Sequence, residues 1–557
     1  MIAAFRIFQA GSVGQAGAGR YGSIMQLRLL APLFACAAPL LVACGGPDDP
    51  VTPGPGTTSG GEPEPVALSL SLTWSACDLF TEAGAPKVAA ECAEVDVPLR
   101  WDDLAGRSIS LFVKRLPAAG ARRGSLWVLD GGPGGGGVGP EGVAHAIAAQ
   151  DDGLDVYIPH HRGTGRSSKL SCAGDQPGSE GGLEITQAEW PACIDALVAE
   201  YGEGLAGFST TEAARDLGAL VAAEAQEGDQ VFVMGQSYGT YLANRYLKLH
   251  PDQATGVILD SICPPDACHL DQFDVLYDQV AADFLALCGA DPVCSSHVGA
   301  DPGARLAELY TSLEAGHCPE LGALGLDRRA LRTVLGVMLN DWNARLAIPA
   351  VIARAERCDP ADVAAMEHLV GALFGAPGDP PSAFLEAWSF PLQNNIVFSE
   401  MWSDPPPAPE AIVAAADATR IAQGVSIIDA AVFPAWPRYE RDELVGAWGD
   451  NDLPMLMMNG DLDPATPLSI AEAAGAHFTG EHQVFVALPR SPHGVLGGSP
   501  INPMGETCGM QLVLDFVADP TAPLDTSCKD QVLPLNFGGA SWLSQALFGT
   551  GDFYALP

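Results

Sequence analysis

The chain has 557 residues, of which 48% are hydrophobic and 17% charged, so it can bury a sizeable core, and its length leaves room for more than one domain. Lys and Arg total 28 against 68 Asp and Glu, which gives a formal net charge of −40. So acidic a surface repels phosphate backbones and anionic lipid, which argues against nucleic acid as a partner and is compatible with cationic or neutral substrates.

The first 44 residues predict an export signal. After Met25 comes an apolar stretch over residues 29–43, which is too short to span a bilayer and ends at Cys44, followed by two glycines. This pattern looks like a bacterial lipoprotein signal that is cleaved before Cys44, whose thiol then carries the lipid. We therefore expect an exported protein held at the bacterial cell envelope only by a lipid anchor, at the outer membrane because no Asp follows Cys44. An ordinary secretory signal, giving a periplasmic or secreted protein, is the alternative, and Met25 is an alternative start to Met1.

The cysteine count agrees with export. Cys36 and Cys44 belong to the signal, which leaves 12 of the 14 cysteines, an even number that predicts disulfides in an oxidising compartment. A metal site is not predicted, because the sequence has neither a Cys-x-x-Cys pair nor a His-x-x-x-His pair. We expect pairing between neighbours along the chain: Cys77 with Cys92, Cys172 with Cys193, Cys263 with Cys268, Cys288 with Cys294, Cys318 with Cys358, and Cys508 with Cys528.

Composition divides the rest of the chain. Residues 45–65 are rich in Gly, Pro, Thr, Ser and acid, which predicts a flexible linker. Residues 66–263 alternate short, continuously apolar strands with helical stretches, which indicates an α/β fold with a mostly parallel sheet covered by helices. Residues 264–450 have helical periodicity and few strand-like runs, so we predict a helical cap. Strand-like runs return in residues 451–557, which complete the core and carry the last cysteine pair. The predicted strands are 108–114, 125–130, 154–159, 231–235, 255–260, 454–459 and 483–488.

A Gly-x-Ser-x-Gly turn follows the predicted strand 231–235 and precedes a helical stretch. Strand, sharp turn and helix form the context of a nucleophile elbow, which exposes its serine, here Ser237, at the end of a sheet. Gly235 and Gly239 have a steric reason, because a Cβ at either position would crowd the neighbouring strand and helix. The pentapeptide alone fits an ordinary Gly/Ser turn equally well.

A serine nucleophile needs a base and a carboxylate that orients the base. Asp463 follows the predicted strand 454–459, and His493 follows the next one. We choose Asp463 over Asp461, which we expect to cap the turn. Asp463 alone is a common turn residue and His493 is one of eleven histidines, but their order after Ser237 is the triad order of α/β-hydrolases.

A glycine-rich loop over residues 131–137 supplies candidate oxyanion donors. It follows a strand, where backbone N–H groups can approach a substrate carbonyl, and we choose the N–H groups of Gly132 and Tyr238. A phosphate-binding loop is the alternative, but it lacks the Gly-Lys-Ser/Thr ending.

Together these motifs resemble the exported tripeptidyl aminopeptidase and proline iminopeptidase branch of the α/β-hydrolases. The likeness covers residues 74–535, is weakest in the cap, and also rests on the His-Arg-Gly-Thr-Gly-Arg-Ser segment at 161–167 and on Pro-His-Gly at 492–494. It implies an α/β-hydrolase fold whose helical cap is inserted between the nucleophile half and the Asp/His half. It also implies a serine exopeptidase without a cofactor, which releases a single residue or a tripeptide from peptides with a free N-terminus through an acyl-enzyme.

The resemblance further implies that a cap acid holds the substrate's ammonium, and Glu400 is the candidate. A solvated glutamate at a helix end is an equally good interpretation. Two departures affect specificity: His160 stands where the family usually has Asp, and Phe398 stands where a cysteine is common.

Two other functions remain open. A carboxylesterase acting on small acyl esters uses the same triad. A catalytically silent, hydrolase-like binding lipoprotein is the alternative from another class, and it has no need for Ser237, Asp463 and His493 together.

Overall fold

The computed structural model describes residues 68–80, 87–375 and 382–555. The predicted signal with Cys44 and the predicted linker over residues 45–65 lie outside these ranges. Within them, no helix is both long and apolar enough to cross a membrane.

The described strands form one nine-stranded sheet in the order β1-β2-β3-β5-β4-β6-β7-β8-β9. The pairings among β1, β2, β3 and β5 are antiparallel, and those from β5 through β4 to β9 are parallel. The predicted mostly parallel sheet is therefore confirmed. Its strands are Ser75–Asp78 (β1), Ala89–Pro98 (β2), Ser108–Leu116 (β3), Gly124–Leu129 (β4), Leu154–Pro159 (β5), Gln230–Gln236 (β6), Gly256–Asp260 (β7), Met455–Gly460 (β8) and Gln483–Leu488 (β9).

The central strands are buried on both faces, which explains their continuously apolar sequences. Along β4, Trp127 and Leu129 join one hydrophobic cluster, whereas Leu126 and Val128 join another on the opposite face. The alternation follows from the two-residue period of a strand. Helices of the first half cover the two faces: Glu141–Gln150 (α1), Trp190–Tyr201 (α2), Thr210–Glu224 (α3) and Tyr238–Leu249 (α4).

Between β7 and β8 the described residues form helices and loops. Several of these helices begin at an Asp whose side chain accepts a backbone N–H of the first turn, as Asp291, Asp301 and Asp327 do. The helices are Phe273–Ala290 (α5), Pro292–Val298 (α6), Pro302–Glu314 (α7), Pro319–Ala323 (α8), Arg328–Leu339 (α9), Ile348–Arg357 (α10), Pro360–Phe374 (α11), Ala383–Ala387 (α12), Phe390–Glu400 (α13), Pro409–Asp417 (α14) and Val425–Val432 (α15).

The chain then returns to the sheet, and its last described helix packs elsewhere. Residues 541–554 join the hydrophobic cluster of the cap. Arg354 of α10 donates to the carbonyl oxygens of Phe553 at 2.8 Å and Asp552 at 3.0 Å. The assignment of residues 451–557 to the core therefore needs correction at its end. The helices of this part are Leu468–His477 (α16), Val495–Gly498 (α17), Cys508–Ala518 (α18) and Ser541–Phe548 (α19).

Disulfides join the 12 cysteines of the described residues in the six expected pairs, from Cys77–Cys92 to Cys508–Cys528. Such a set fits an exported protein. The possible metal-ligand group formed by Cys318, Glu320 and Cys358 contains one of these disulfides, so its sulfur atoms are not free thiolates.

A buried ion pair fixes the loop after β5. Arg162 is 1% exposed, and its guanidinium donates to both carboxylate oxygens of Asp216 on α3 at 2.6 Å. It also donates to the carbonyl oxygens of Leu99 and Gly207, so one side chain satisfies acceptors on several chain segments. The arrangement explains why an arginine, with its planar fork of donors, occupies this loop.

We expect Arg162→Met to lower the free energy of unfolding by about 3–5 kcal/mol, because it leaves the Asp216 carboxylate buried without its partner. Arg100 provides a matched control, since its pair with Asp102 at 2.6 Å is about half exposed. Arg100→Met should change that free energy by less than about 1 kcal/mol. Denaturant unfolding measures both free energies. Equal losses of stability would contradict the prediction that the buried ion pair contributes more than the exposed one.

Candidate active site

Ser237 lies on a strained turn between β6 and α4. Its φ of 57° and ψ of −126° are rare for a residue with a side chain. A Cβ at Gly235 would lie 2.2 Å from the carbonyl oxygen of Gly239, and one at Gly239 would lie 2.6 Å from that of Leu129. The two glycines therefore permit the close approach that the turn requires. Ser237 is the predicted nucleophile, and it lies at the carboxyl end of the parallel strands.

His493 and Asp463 lie together after β9 and β8, respectively. Nδ1 of His493 is 2.9 Å and 3.0 Å from the two carboxylate oxygens of Asp463. Asp463 is fully buried, and Thr466 donates to it through both its N–H and its hydroxyl, each at 2.9 Å. Asp461, by contrast, is exposed. The geometry therefore supports the choice of Asp463 as the orienting carboxylate.

The loop of His493 lies beside the turn of Ser237. A Cβ at Gly494 would lie 2.7 Å from Nε2 of Gln236, the residue before Ser237. Among the described residues, the hydroxyl of Ser237 and the imidazole of His493 do not share a hydrogen bond. Such bonds often tighten only when substrate is bound.

The charge of Asp463 acts on the basicity of His493. Burial by itself lowers the pKa of this imidazole, but the negative charge and hydrogen bond of Asp463, together with the charge of Asp260, outweigh it. The net pKa is raised above 6.5, the ordinary value for histidine. A base with a raised pKa is a stronger proton acceptor once it is neutral.

Gly132 and Tyr238, whose backbone N–H groups are the predicted oxyanion donors, line the same cavity as Ser237. In the described part of the chain, neither N–H donates to a protein group. The glycine loop is anchored by Asp130, whose carboxylate accepts the N–H groups of Gly131 at 2.8 Å and Gly137 at 2.9 Å. Burial raises the pKa of Asp130 to about 6. This anchoring role is not among the predictions from the sequence, although the place of Asp130 at the end of a strand and before the glycines could have indicated it.

The cavity at Ser237 is small and largely apolar. Its volume is about 30 Å³. None of the described residues lining it is acidic, and the Cys263–Cys268 disulfide forms part of its wall. His269 also lines it, and Nδ1 of His269 is buried without a hydrogen-bond partner among the described residues. The apolar side chains in the wall are Leu270, Phe273, Leu276, Met401, Ala465 and Ile470.

Glu400 does not line this cavity. It is 3% exposed and forms an ion pair with Arg245 at 3.0 Å. Its carboxylate also accepts the hydroxyls of Tyr241 and Tyr439 and the N–H of Thr210. A substrate ammonium would have to displace one of these donors. The geometry therefore does not fit the prediction that Glu400 holds the substrate's N-terminus, nor is Glu400 a solvated helix end.

The two predicted departures from the family pattern have structural roles here. Nδ1 of His160 accepts the N–H of Arg166 at 3.1 Å, and burial lowers the pKa of His160 to about 3, so this imidazole is neutral. Phe398 packs edge to face against Trp402 and Phe433 in the core. Neither side chain lines the cavity at Ser237.

Two family models match the chain. The one described as alpha/beta hydrolase fold matches residues 125–286, and the one described as TAP-like protein matches residues 429–528. The first holds the candidate nucleophile, and the second holds the candidate acid and base. The matches confirm the predicted α/β-hydrolase fold.

Curated relatives are similar at modest identity. A tripeptidyl aminopeptidase of Streptomyces lividans is 28% identical over 273 residues, which are 45% of this chain and 49% of that protein. Serine protease Hip1 of Mycobacterium bovis is 27% identical over 44% of this chain and 50% of that protein. Carboxylesterase B of Mycobacterium tuberculosis is 36% identical over 127 residues, or 22% of this chain and 24% of its own length. The chain thus spans about half the length of the first two relatives, and the predicted resemblance is confirmed to that extent.

We expect Gly235→Ala to destroy the turn of Ser237, since its new Cβ would fall inside the contact distance of the Gly239 carbonyl oxygen. The free energy of unfolding should fall by about 3 kcal/mol or more, and a fluorophosphonate probe should no longer label Ser237. Gly142→Ala is the matched control, because nothing lies within 4 Å of a Cβ there. It should label normally, and normal labelling of both variants would contradict the steric argument.

Proposed function

We propose that this chain, a member of the α/β-hydrolases, is a serine exopeptidase that releases short N-terminal units from peptides through an acyl-enzyme. One observation carries the proposal: a histidine bonded to a buried aspartate lies on a loop beside the strained turn of Ser237, and Ser237 shares a cavity with Gly132 and Tyr238. This set of groups suits acyl transfer.

In the first half of the reaction, the hydroxyl oxygen of Ser237 attacks the scissile carbonyl carbon while Nε2 of His493 takes the hydroxyl proton. The N–H groups of Gly132 and Tyr238 donate to the oxyanion of the tetrahedral intermediate. Asp463 holds the imidazolium that forms. Collapse of the intermediate breaks the C–N bond, and His493 returns the proton to the departing amine.

In the second half, water attacks the acyl-enzyme by the same route. His493 takes a proton from the water, the ester bond to Ser237 breaks, and the proton returns to the serine oxygen. The products are a peptide shortened at its N-terminus and the released N-terminal unit. No step requires a metal or an organic cofactor.

The relatives support the peptidase assignment. Two of them are a tripeptidyl aminopeptidase and a serine protease, and the TAP-like match covers the part of the chain that supplies Asp463 and His493. We therefore propose peptides with a free N-terminus as substrates, and either a single residue or a tripeptide as the released unit.

A carboxylesterase is the second candidate. Two observations favour it: no acidic side chain lines the cavity at Ser237 among the described residues, and the oxygens of Glu400 are already engaged. Similarity to a carboxylesterase over 127 residues points the same way. An esterase has no need to hold a substrate ammonium.

We also propose that the protein acts outside the cytoplasm, held at the envelope by a lipid on Cys44. Its disulfides support export.

We expect radiolabelled palmitate to be incorporated into the wild type and not into Cys44→Ala, because the thiol that would carry the lipid is gone.

We expect wild-type protein to hydrolyse aminoacyl or tripeptidyl anilides, and Ser237→Ala to lower kcat by at least about 10⁴-fold, because no other group replaces the nucleophile. Ser125→Ala is the control, since Ser125 is buried at the amino end of β4, whereas the candidate site lies at the carboxyl ends of the parallel strands.

A comparison of free-amino with N-blocked substrates separates the two enzymes. A strong preference for the free amine supports the exopeptidase, and indifference to blocking supports the esterase. A folded wild type that never reacts with a fluorophosphonate would show a silent binding protein instead.

The value of kcat/KM should fall as the pH drops through a midpoint above 6.5, because His493 must be neutral to accept the serine proton and its pKa is raised. The measurement is a profile of kcat/KM between about pH 5 and 9, with a control for protein stability at each pH. A midpoint at or below the ordinary value for histidine would contradict the predicted influence of Asp463.

A further inference from the structure

A second buried aspartate lies between the loops of Ser237 and His493. Asp260 is the last residue of β7 and is 0% exposed. Its carboxylate accepts the N–H of Val495 at 2.9 Å and that of Leu496 at 3.3 Å, just after His493. The same carboxylate accepts the side-chain amide of Gln236 at 3.1 Å. One side chain thus contacts both loops.

The backbone around Asp260 extends this connection. Its carbonyl oxygen accepts the N–H of Ser237 at 3.0 Å. The next residue, Ser261, has a φ of 59°, and its hydroxyl oxygen accepts the N–H of Gly494 at 2.7 Å. Asp260 and Ser261 therefore accept three consecutive N–H groups after His493. The positive φ of Ser261 is a conformation that a side chain adopts only when the surrounding structure imposes it.

Burial raises the pKa of Asp260, whereas the N–H groups of Val495 and Leu496, the Ser261 hydroxyl and the charge of His493 oppose that rise. The hydrogen-bond pattern around Asp260 is that of a carboxylate with a negative charge. Its two carboxylate oxygens accept from Gln236, Ser261, Val495 and Leu496. All four partners donate, which is the pattern of an ionised carboxylate, since a protonated one would need an acceptor for its own proton. Among the described residues, the charged groups that act on His493 are Asp463 and Asp260.

We propose that Asp260 is a positioning residue for His493. Its carboxylate holds the histidine loop, its carbonyl oxygen holds the serine turn, and its charge adds to that of Asp463 when His493 becomes an imidazolium. The inference rests on the proposed roles of Ser237, Asp463 and His493. Asp463 orients the ring directly, whereas Asp260 fixes the distance between the two loops.

The test uses Asp260→Asn in the full chain, with the anilide that the wild type hydrolyses best. The side-chain amide of the new Asn points N–H groups at partners that are themselves donors, so the loop that carries His493 should shift. We expect kcat to fall about 10- to 100-fold while KM changes less than about threefold, since the lost interaction matters in the transition state. The acid limb of kcat/KM should also move to lower pH, because a negative charge that raises the pKa of His493 is gone.

Two further variants separate positioning from general stability. Asp341→Asn is the matched control, since Asp341 is buried and accepts the N–H groups of Asn343 and Ala344 but none from residues 493–496. It should lose stability to a similar degree and keep the wild-type kcat. Ser261→Ala keeps the charge and removes the acceptor for Gly494, so kcat should fall about tenfold with the acid limb unmoved.

The outcomes are distinct. A wild type that neither hydrolyses anilides nor reacts with a fluorophosphonate overturns the proposed function, and this inference with it. An active wild type whose Asp260→Asn and Ser261→Ala variants keep its kcat and pH profile overturns the inference alone. If Asp260→Asn does not fold, Ser261→Ala decides: a tenfold loss of kcat supports the inference, and an unchanged kcat overturns it.

Discussion

The close approach of backbone at residues 235–239 is the constraint on which the site depends. β6 must end and α4 must begin within a single residue, so Ser237 takes a positive φ and the carbonyl of Gly239 comes within contact of Gly235. The turn also brings the start of α4 against the end of β4. The proposed oxyanion donors, Gly132 and Tyr238, lie on the two segments that meet there. Backbone strain at Ser237 is thus balanced by the packing of a buried parallel sheet.

Much of this arrangement could be predicted from the sequence because its signals are local. Continuously apolar runs predicted the central strands, and the order of Ser237, Asp463 and His493 after successive strands predicted where the site lies. Parallel strands end at the same edge of a sheet, so residues distant in sequence meet there. The neighbour pairing of the cysteines was likewise confirmed.

What the sequence did not predict depends on contacts between distant segments. The sequence is compatible with an exposed Glu400 at the end of a helix, yet α13 packs against α4 and buries this side chain beside Arg245. The role of Asp260 depends on donors more than 200 residues later in the chain. The packing of α19 has the same cause, because it contacts α11 and, through Arg354 over the ring of Phe548, α10. None of these contacts leaves a periodic or short-range pattern.

The packing of residues 541–554 on the cap limits how the cap can move. The chain passes between sheet and cap near residue 264, near residue 450 and again before α19. Each connection restricts rotation of the cap relative to the sheet. After the third connection, hydrogen bonds from Arg354 to the carbonyl oxygens of Phe553 and Asp552 hold the end of the chain on the cap. Three connections and a tail packed on the cap therefore restrict a hinged movement of the cap relative to the sheet.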